Sequence, residues 1–126
     1  MNGTVNQWLD KAERDFHTAS RELEASANPN YDAVCFHAQQ CVEKLMKGLL
    51  IKFGVTPPRT HGLIALSNLL TSECREWTAS SDDLRFLSRA AVDFRYPGET
   101  ADRETAGEAL LICTSLRERL LSLYHS

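Results

Sequence analysis

Apolar residues recur at three- and four-residue steps through most of the chain, as they do on one face of an α-helix. Over residues 4–27, apolar positions from Trp8 to Leu23 follow this spacing with charged residues between them. Thr4 offers a hydroxyl that can cap the helix, and Pro29 ends it because proline has no amide donor. A first amphipathic helix is therefore predicted over residues 4–27.

The strongest helical pattern covers residues 31–54 and ends at Gly54, a residue suited to the left-handed conformation that stops a helix. The Val-Thr-Pro-Pro-Arg segment at residues 55–59 predicts a stiff connector. A shorter helix is predicted from about His61 to Leu70, where leucine and isoleucine recur at helical spacing.

Two further helices are predicted in the last third of the chain. The Ser-Ser-Asp-Asp cluster at residues 80–83 favours a helix start, and this fourth helix is expected to end near Arg95. The Tyr-Pro-Gly segment at residues 96–98 breaks the pattern, and Asp102 can cap the last helix. Since no strand alternation is seen, we predict an all-α, up-and-down bundle of about five helices, with residues 1–126 forming one domain.

The composition fits a soluble globular domain, with 43% hydrophobic and 25% charged residues among 126. The net charge of −3 argues against a general affinity for nucleic acid or anionic membranes, so any such binding has to be local. Neither a signal peptide nor a membrane-spanning run is recognisable, and a cytoplasmic location is expected. Cys35 and Cys113 fall within apolar helical patterns and are interpreted as buried; no metal or cofactor site is predicted.

A stripe of polar residues follows the second predicted helix. Gln40, Glu43, Lys44 and Lys47 fall within an arc of about 100°, opposite an apolar arc. This stripe has two interpretations: a solvated face with an ordinary Glu43–Lys47 pair, or a surface that contacts a ligand.

Residues 31–48, YDAVCFHAQQCVEKLMKG, resemble the signature helix of the HEPN family. In that family an aromatic or small residue, a Gln-Gln pair, Glu-Lys and a second Lys recur in this order. Thr-His-Gly-Leu at residues 60–63 and Phe-Arg-Tyr-Pro at residues 94–97 also stand at matching distances. The similarity covers nearly the whole chain.

The resemblance implies a helical bundle that usually forms a homodimer, with a groove lined by the second helix and the Arg-Tyr-Pro turn. It also implies a connection with nucleotides or RNA, because many relatives are metal-independent RNases or toxin-like partners of a minimal nucleotidyltransferase, while others are non-catalytic. On this basis Arg95 is expected to contact phosphate, Lys44 and Lys47 to neutralise charge, and Gln40 and Glu43 to orient the ligand by hydrogen bonds. Tyr96, next to Arg95, can stack on a base.

The histidine that the catalytic relatives use is missing from the corresponding positions of this sequence. They use an Arg followed, after four to six intervening residues, by a His that transfers a proton, whereas the corresponding positions 100–102 after Arg95 hold Thr, Ala and Asp. Arg119 and His125 have the required spacing, but they lie at the end of the last helix and are interpreted as a coincidence. Ligand binding without RNA cleavage is therefore expected.

The remaining histidines are assigned structural roles. His61 is predicted to cap or pack at the start of the third helix, with the alternative that it joins Arg95 as a proton shuttle. His17 and His37 have no carboxylate or Cys partner at ligand spacing and are interpreted as packing or surface residues.

Three functional hypotheses follow from the sequence. The leading one is a homodimeric, toxin–antitoxin-like subunit that binds a nucleotide, RNA or a minimal nucleotidyltransferase without catalysis of its own. The second is a metal-independent RNase toxin that combines Arg95 with a histidine from elsewhere, His61 or His125. The third is a purely structural dimerisation bundle.

Overall fold

A computed structural model describes residues 3–125 and contains five α-helices with no strand among these residues. The helices are α1 (Gly3–Leu23), α2 (Tyr31–Lys52), α3 (Leu63–Glu73), α4 (Ser81–Val92) and α5 (Arg103–Tyr124). The predicted all-α bundle is confirmed. None of the described helices has the length and apolarity needed to cross a membrane.

Side-chain caps fix the beginnings of three helices. Oδ1 of Asn30 accepts a hydrogen bond from the amide of Ala33 (3.0 Å) at the start of α2. Asp102 is confirmed as a cap, and Ser80 of the predicted helix-start cluster also caps its helix: their side chains accept from the backbone amides three residues later, at 2.7 Å and 3.3 Å. Each cap satisfies an amide that has no partner within its helix.

Several predicted helix boundaries were wrong by two to four residues. Helix α1 ends at Leu23 because residues 24–30 turn away, with Asn28 in the left-handed conformation (φ +48°). Thr4, the predicted cap, lies inside α1, which begins at Gly3. Helix α2 stops at Lys52, two residues before Gly54, which has the expected positive φ of +83°.

The bounds of the next two helices also shift. Helix α3 begins at Leu63 rather than at residue 61, with Gly62 as its N-cap, and continues to Glu73. Helix α4 ends at Val92, three residues before Arg95, because the chain turns through Gly98 (φ +90°) towards α5. Arg95 and Tyr96 therefore lie in an exposed loop rather than at a helix end.

Helix α2 is the centre of the bundle and contacts each of the other four helices. Its predicted apolar arc is fully buried, as expected, and consists of Ala38, Cys41, Val42, Leu45, Met46 and Leu49. Cys35 and Cys113 are buried free thiols, as predicted, and burial raises the pKa of Cys35 to about 11. Because α2 has neighbours on most sides, little of its surface remains for solvent.

A hydrogen bond between distant parts of the chain positions the α4–α5 loop. The backbone amide of Ala101 donates to Oδ1 of Asp32 in the first turn of α2, at 2.6 Å. Ala101 is buried. The loop that carries Arg95 is thereby held against the beginning of α2.

Candidate functional site

Glu43 is the centre of a buried polar network on α2. Its carboxylate accepts hydrogen bonds from the Gln39 amide (3.0 Å) and the Lys47 ammonium (3.2 Å), and Nδ1 of His61 lies 3.1 Å from Oε2 and 3.2 Å from Oε1. Glu43, Gln39 and Lys47 are all buried, whereas the His61 side chain is 83% exposed. We call these four residues the Glu43 network.

The network stabilises a charge that burial alone would disfavour. Burial by itself would raise the pKa of Glu43, but hydrogen bonds from Gln39 and His61 and the charge of Lys47 outweigh it, so the pKa lies below its ordinary value. Both oxygens of the buried Glu43 carboxylate therefore accept hydrogen bonds from other residues of the protein.

The expected exposure of the polar stripe was wrong for Glu43 and Lys47. The Lys47 ammonium lies 6.0 Å from the centre of the Trp8 ring of α1, which covers this part of α2. Gln40 is half-buried and donates to Oε1 of Gln39 at 2.9 Å. The i,i+4 pair of Glu43 and Lys47 is present as predicted, but it is an interior pair rather than a surface one.

A second polar cluster joins α1 to α2. Asp15 is buried, and its Oδ1 lies 2.7 Å from Nδ1 of His37 while its Oδ2 accepts from Nζ of Lys44 at 2.6 Å. We call these three residues the Asp15 cluster. Lys44, expected to neutralise a ligand's charge, is half-buried and paired with Asp15.

His37, interpreted as a packing or surface residue, pairs with a carboxylate of another helix. Its partner Asp15 is 22 positions earlier in the chain, so ligand spacing along one helix does not reveal it. The two residues are about equally far along the chain from the α1–α2 loop at residues 24–30, and two helices that fold back on each other bring such positions together. This equal distance from the predicted loop was the feature of the sequence that could have indicated the pairing.

A pocket of about 290 Å³ lies where the start of α2 meets the end of α4. Its polar lining consists of Asn30, Asp32, His37 and Arg95, and its apolar lining includes Phe36 and Phe94. We call it the Arg95 pocket. The Arg95 guanidinium is exposed and makes no hydrogen bond or ion pair with any residue of the described range 3–125.

The Arg95 pocket combines only some of the predicted site residues. Residues of α2 and Arg95 line it together, but the lining does not include Gln40, Glu43, Lys44 or Lys47. The lining does not include His61, which contacts Glu43 instead. His37, which was not among the predicted site residues, does line the pocket.

Three other predicted residues lie elsewhere or at the edge. The Tyr96 side chain, next to Arg95, is 71% exposed. Arg119 stacks over the ring of Trp77 at 5.1 Å and donates to the Thr78 carbonyl, while His125 is exposed beyond the last turn of α5. Among the described residues, no group of three or more His, Cys, Asp or Glu side chains is arranged to hold a metal ion.

The whole bundle is similar to solved helical-bundle structures. The protein TT1696 from Thermus thermophilus aligns with a TM-score of 0.76 and 22% identity, covering 97% of this chain and 99% of that one. ST0689, an archaeal HEPN homologue, aligns with a TM-score of 0.66 and 24% identity, covering 94% and 95% of the two chains. At these identities the likeness establishes the fold. No curated protein gave a significant match.

The family assignment comes from the sequence match over the same bundle. Residues 5–123 match the family model of the HEPN domain, which is nearly the full chain. The chain therefore belongs to the HEPN family, and the resemblance found in the α2 sequence is confirmed.

Proposed function

We propose that this HEPN chain binds single-stranded RNA by holding a phosphate group in the Arg95 pocket. The observation that carries the proposal is the exposed Arg95 guanidinium, which has no partner among the described residues and shares the pocket with His37 and the ring of Phe36. A guanidinium offers a fork of donors that matches two phosphate oxygens. Because the net charge of −3 gives no general attraction for RNA, this local cation would provide the attraction.

Two aromatic side chains near Arg95 favour a nucleic acid over a free phosphate. Phe36 is 40% exposed and lines the pocket, and Tyr96 is 71% exposed in the adjoining turn. Aromatic rings stack on unpaired bases, with each stack contributing roughly 1–3 kcal/mol. A phosphate at Arg95 would leave the flanking bases within reach of these rings.

The test measures binding of a fluorescein-labelled single-stranded RNA by anisotropy. Arg95→Ala should weaken binding about 10- to 100-fold, since a hydrogen bond to a charged group contributes roughly 1.5–3 kcal/mol. Arg75→Ala is the matched control, because Arg75 is an exposed arginine beside the end of α2. That end lies about 33 Å along the helix from the Arg95 pocket.

The salt dependence of RNA affinity and the loss of a stacking side chain provide two further tests of the site. Affinity should fall as salt rises, because phosphate binding releases counterions, and the slope should be smaller for Arg95→Ala. Tyr96→Ala should weaken RNA binding without changing this slope. Equal affinities for wild type, Arg95→Ala and Tyr96→Ala would reject the proposed site, and undetectable binding by the wild type would reject the proposed function.

We also propose that the chain forms a homodimer. Three large apolar side chains outside the proposed RNA site are at least about one-third exposed in the single chain, which favours their burial by a partner: Leu69, Val92 and Leu111. Light scattering should give twice the 14.2 kDa mass of one chain. A mass of one chain that persists at high protein concentration would contradict this proposal.

A further inference from the structure

We propose that His61 is a phosphorylation site: its Nε2 accepts a phosphoryl group from a phosphoramidate, a donor with a phosphorus–nitrogen bond, and Glu43 is the residue that positions its ring. His61 does not line the Arg95 pocket. Phosphorylation of His61 therefore does not require RNA bound at Arg95.

The orientation of the His61 ring is fixed by a buried carboxylate. Nδ1 of His61 lies 3.1 Å from Oε2 and 3.2 Å from Oε1 of Glu43, which is buried in α2. A carboxylate beside one ring nitrogen keeps the proton on that nitrogen and leaves the other nitrogen unprotonated. The electron pair of Nε2 is thus available as a nucleophile.

Two buried side chains of α2 hold Glu43 and His61 in place. The Gln39 amide donates to Oε1 of Glu43 at 3.0 Å and to the backbone carbonyl of His61 at 3.2 Å. The Lys47 ammonium donates to Oε2 of Glu43 at 3.2 Å. Both the backbone and the ring of His61 are therefore anchored to α2, although the residue lies in the connection before α3.

His61 combines this anchor with access to solvent. Its side chain is 83% exposed, and within residues 3–125 its Nε2 makes no hydrogen bond. His37 is paired in the same way with Asp15, but its side chain is only 30% exposed. His17 is exposed, and its ring contacts Phe16 rather than a carboxylate. Of these three histidines, His61 alone has both a carboxylate partner and an open Nε2.

The charges around His61 suit a phosphoryl group, which brings nearly two negative charges. Lys47 compensates the charge of Glu43, so the pair does not repel an anion. Arg59, two positions before His61, is exposed and makes no ion pair among the described residues. His61 directly precedes Gly62, the N-cap of α3, and the start of a helix is the positive end of its dipole.

The transfer forms one bond and breaks one bond. The electron pair of Nε2 forms a bond to phosphorus, and the phosphorus–nitrogen bond of the donor breaks. With phosphoramidate itself, which is protonated on nitrogen, the donor nitrogen leaves as ammonia with that electron pair. The imidazole gains a positive charge, and its Nδ1 proton stays in the hydrogen bond to Glu43. The carboxylate stabilises this charge because charge-assisted hydrogen bonds are stronger than neutral ones.

The experiment treats the full chain with phosphoramidate and locates the phosphoryl group by mass spectrometry at alkaline pH, where phosphohistidine is stable. His17 in the same molecule is the control. His61 should be phosphorylated about 10 times faster than His17, because its hydrogen bond to Glu43 becomes charge-assisted during the transfer. Phosphorus NMR of the product should place the group on Nε2 of His61.

Variants test the role of Glu43. Glu43→Gln keeps the shape of the side chain but removes its charge, so phosphorylation of His61 should slow about 10-fold while that of His17 stays unchanged. Far-UV circular dichroism checks that this variant is folded. Glu73→Gln, at an exposed position of α3, is the matched control and should react like the wild type.

Equal rates at His61 and His17 in the wild type would overturn the proposal, as would a phosphoryl group on Nδ1 of His61. Both measurements use the wild type, so they decide the question even if Glu43→Gln does not fold. A folded Glu43→Gln that reacts at His61 as fast as the wild type would contradict the positioning role of Glu43.

Discussion

The ammonium of Lys47 lies 3.2 Å from Oε2 of Glu43, and both side chains are buried inside the bundle. Lys47→Ala would leave the Glu43 carboxylate without its cation. Removing one member of a buried ion pair commonly costs 3–5 kcal/mol, and since Gln39 and His61 still hold Glu43, we expect a loss of about 3 kcal/mol in unfolding free energy. Urea unfolding measures this change.

Lys11→Ala serves as the control for that measurement, because Lys11 is an exposed lysine of α1 and should leave stability nearly unchanged. If Lys47→Ala unfolded at the same urea concentration as Lys11→Ala, the pair would not contribute to the fold as described.

The pH dependence of stability should report on Glu43. Since its folded-state pKa is lowered from the ordinary value of 4.5, its contribution is fully present above about pH 4.5 and is lost as the pH falls through the lower, folded-state pKa. The stability difference between wild type and Glu43→Gln should therefore shrink on acidification. Urea unfolding at a series of pH values tests this, and a difference that grew towards acid pH would contradict the assignment.

Gly48 allows α2 to approach two other helices closely. A Cβ at this position would lie 2.5 Å from Oη of Tyr124 and 2.8 Å from Cβ of Trp8. We expect Gly48→Ala to destabilise the fold by roughly 1–3 kcal/mol through overpacking. Gly107→Ala on α5 is the control: a Cβ there meets nothing within 4 Å, so this change should stabilise the helix by about 0.5–1 kcal/mol.

Thermal unfolding of the two glycine variants should shift the unfolding midpoint in opposite directions, down for Gly48→Ala and up for Gly107→Ala. If both variants shifted the midpoint in the same direction, the tight contact at Gly48 would not be the reason for the glycine.

Ser67 provides the hydrogen-bond acceptor for a buried indole. Nε1 of Trp77 donates to Oγ of Ser67 at 2.9 Å, and both residues are buried. Ser67→Ala leaves this donor unsatisfied, which should cost about 1–3 kcal/mol. Ser72→Ala, an exposed serine of the same helix, should have little effect in the same denaturation assay.

Local hydrogen bonding explains why much of the fold could be predicted from the sequence. The helix-start cluster with Ser80 and the cap Asp102 could be identified because a cap requires only a short polar side chain and an amide three residues away. The apolar arc of α2 was correct because its spacing follows directly from the helix period. The ends of α1 and α4 were less accurate, since loop turns at Asn28 and Gly98 override the periodic pattern.

The sequence by itself determined the family, the five helices and the break between α4 and α5 that contains Arg95. Only the tertiary structure decided which polar residues share a site. Lys47 appears solvated on a helical wheel, but α2 is surrounded by four helices and Trp8 covers it. Asp15 and His37 are 22 positions apart, and their pairing depends on how α1 packs against α2. Helical periodicity is a property of neighbouring residues, whereas burial and side-chain pairing depend on the packing between helices.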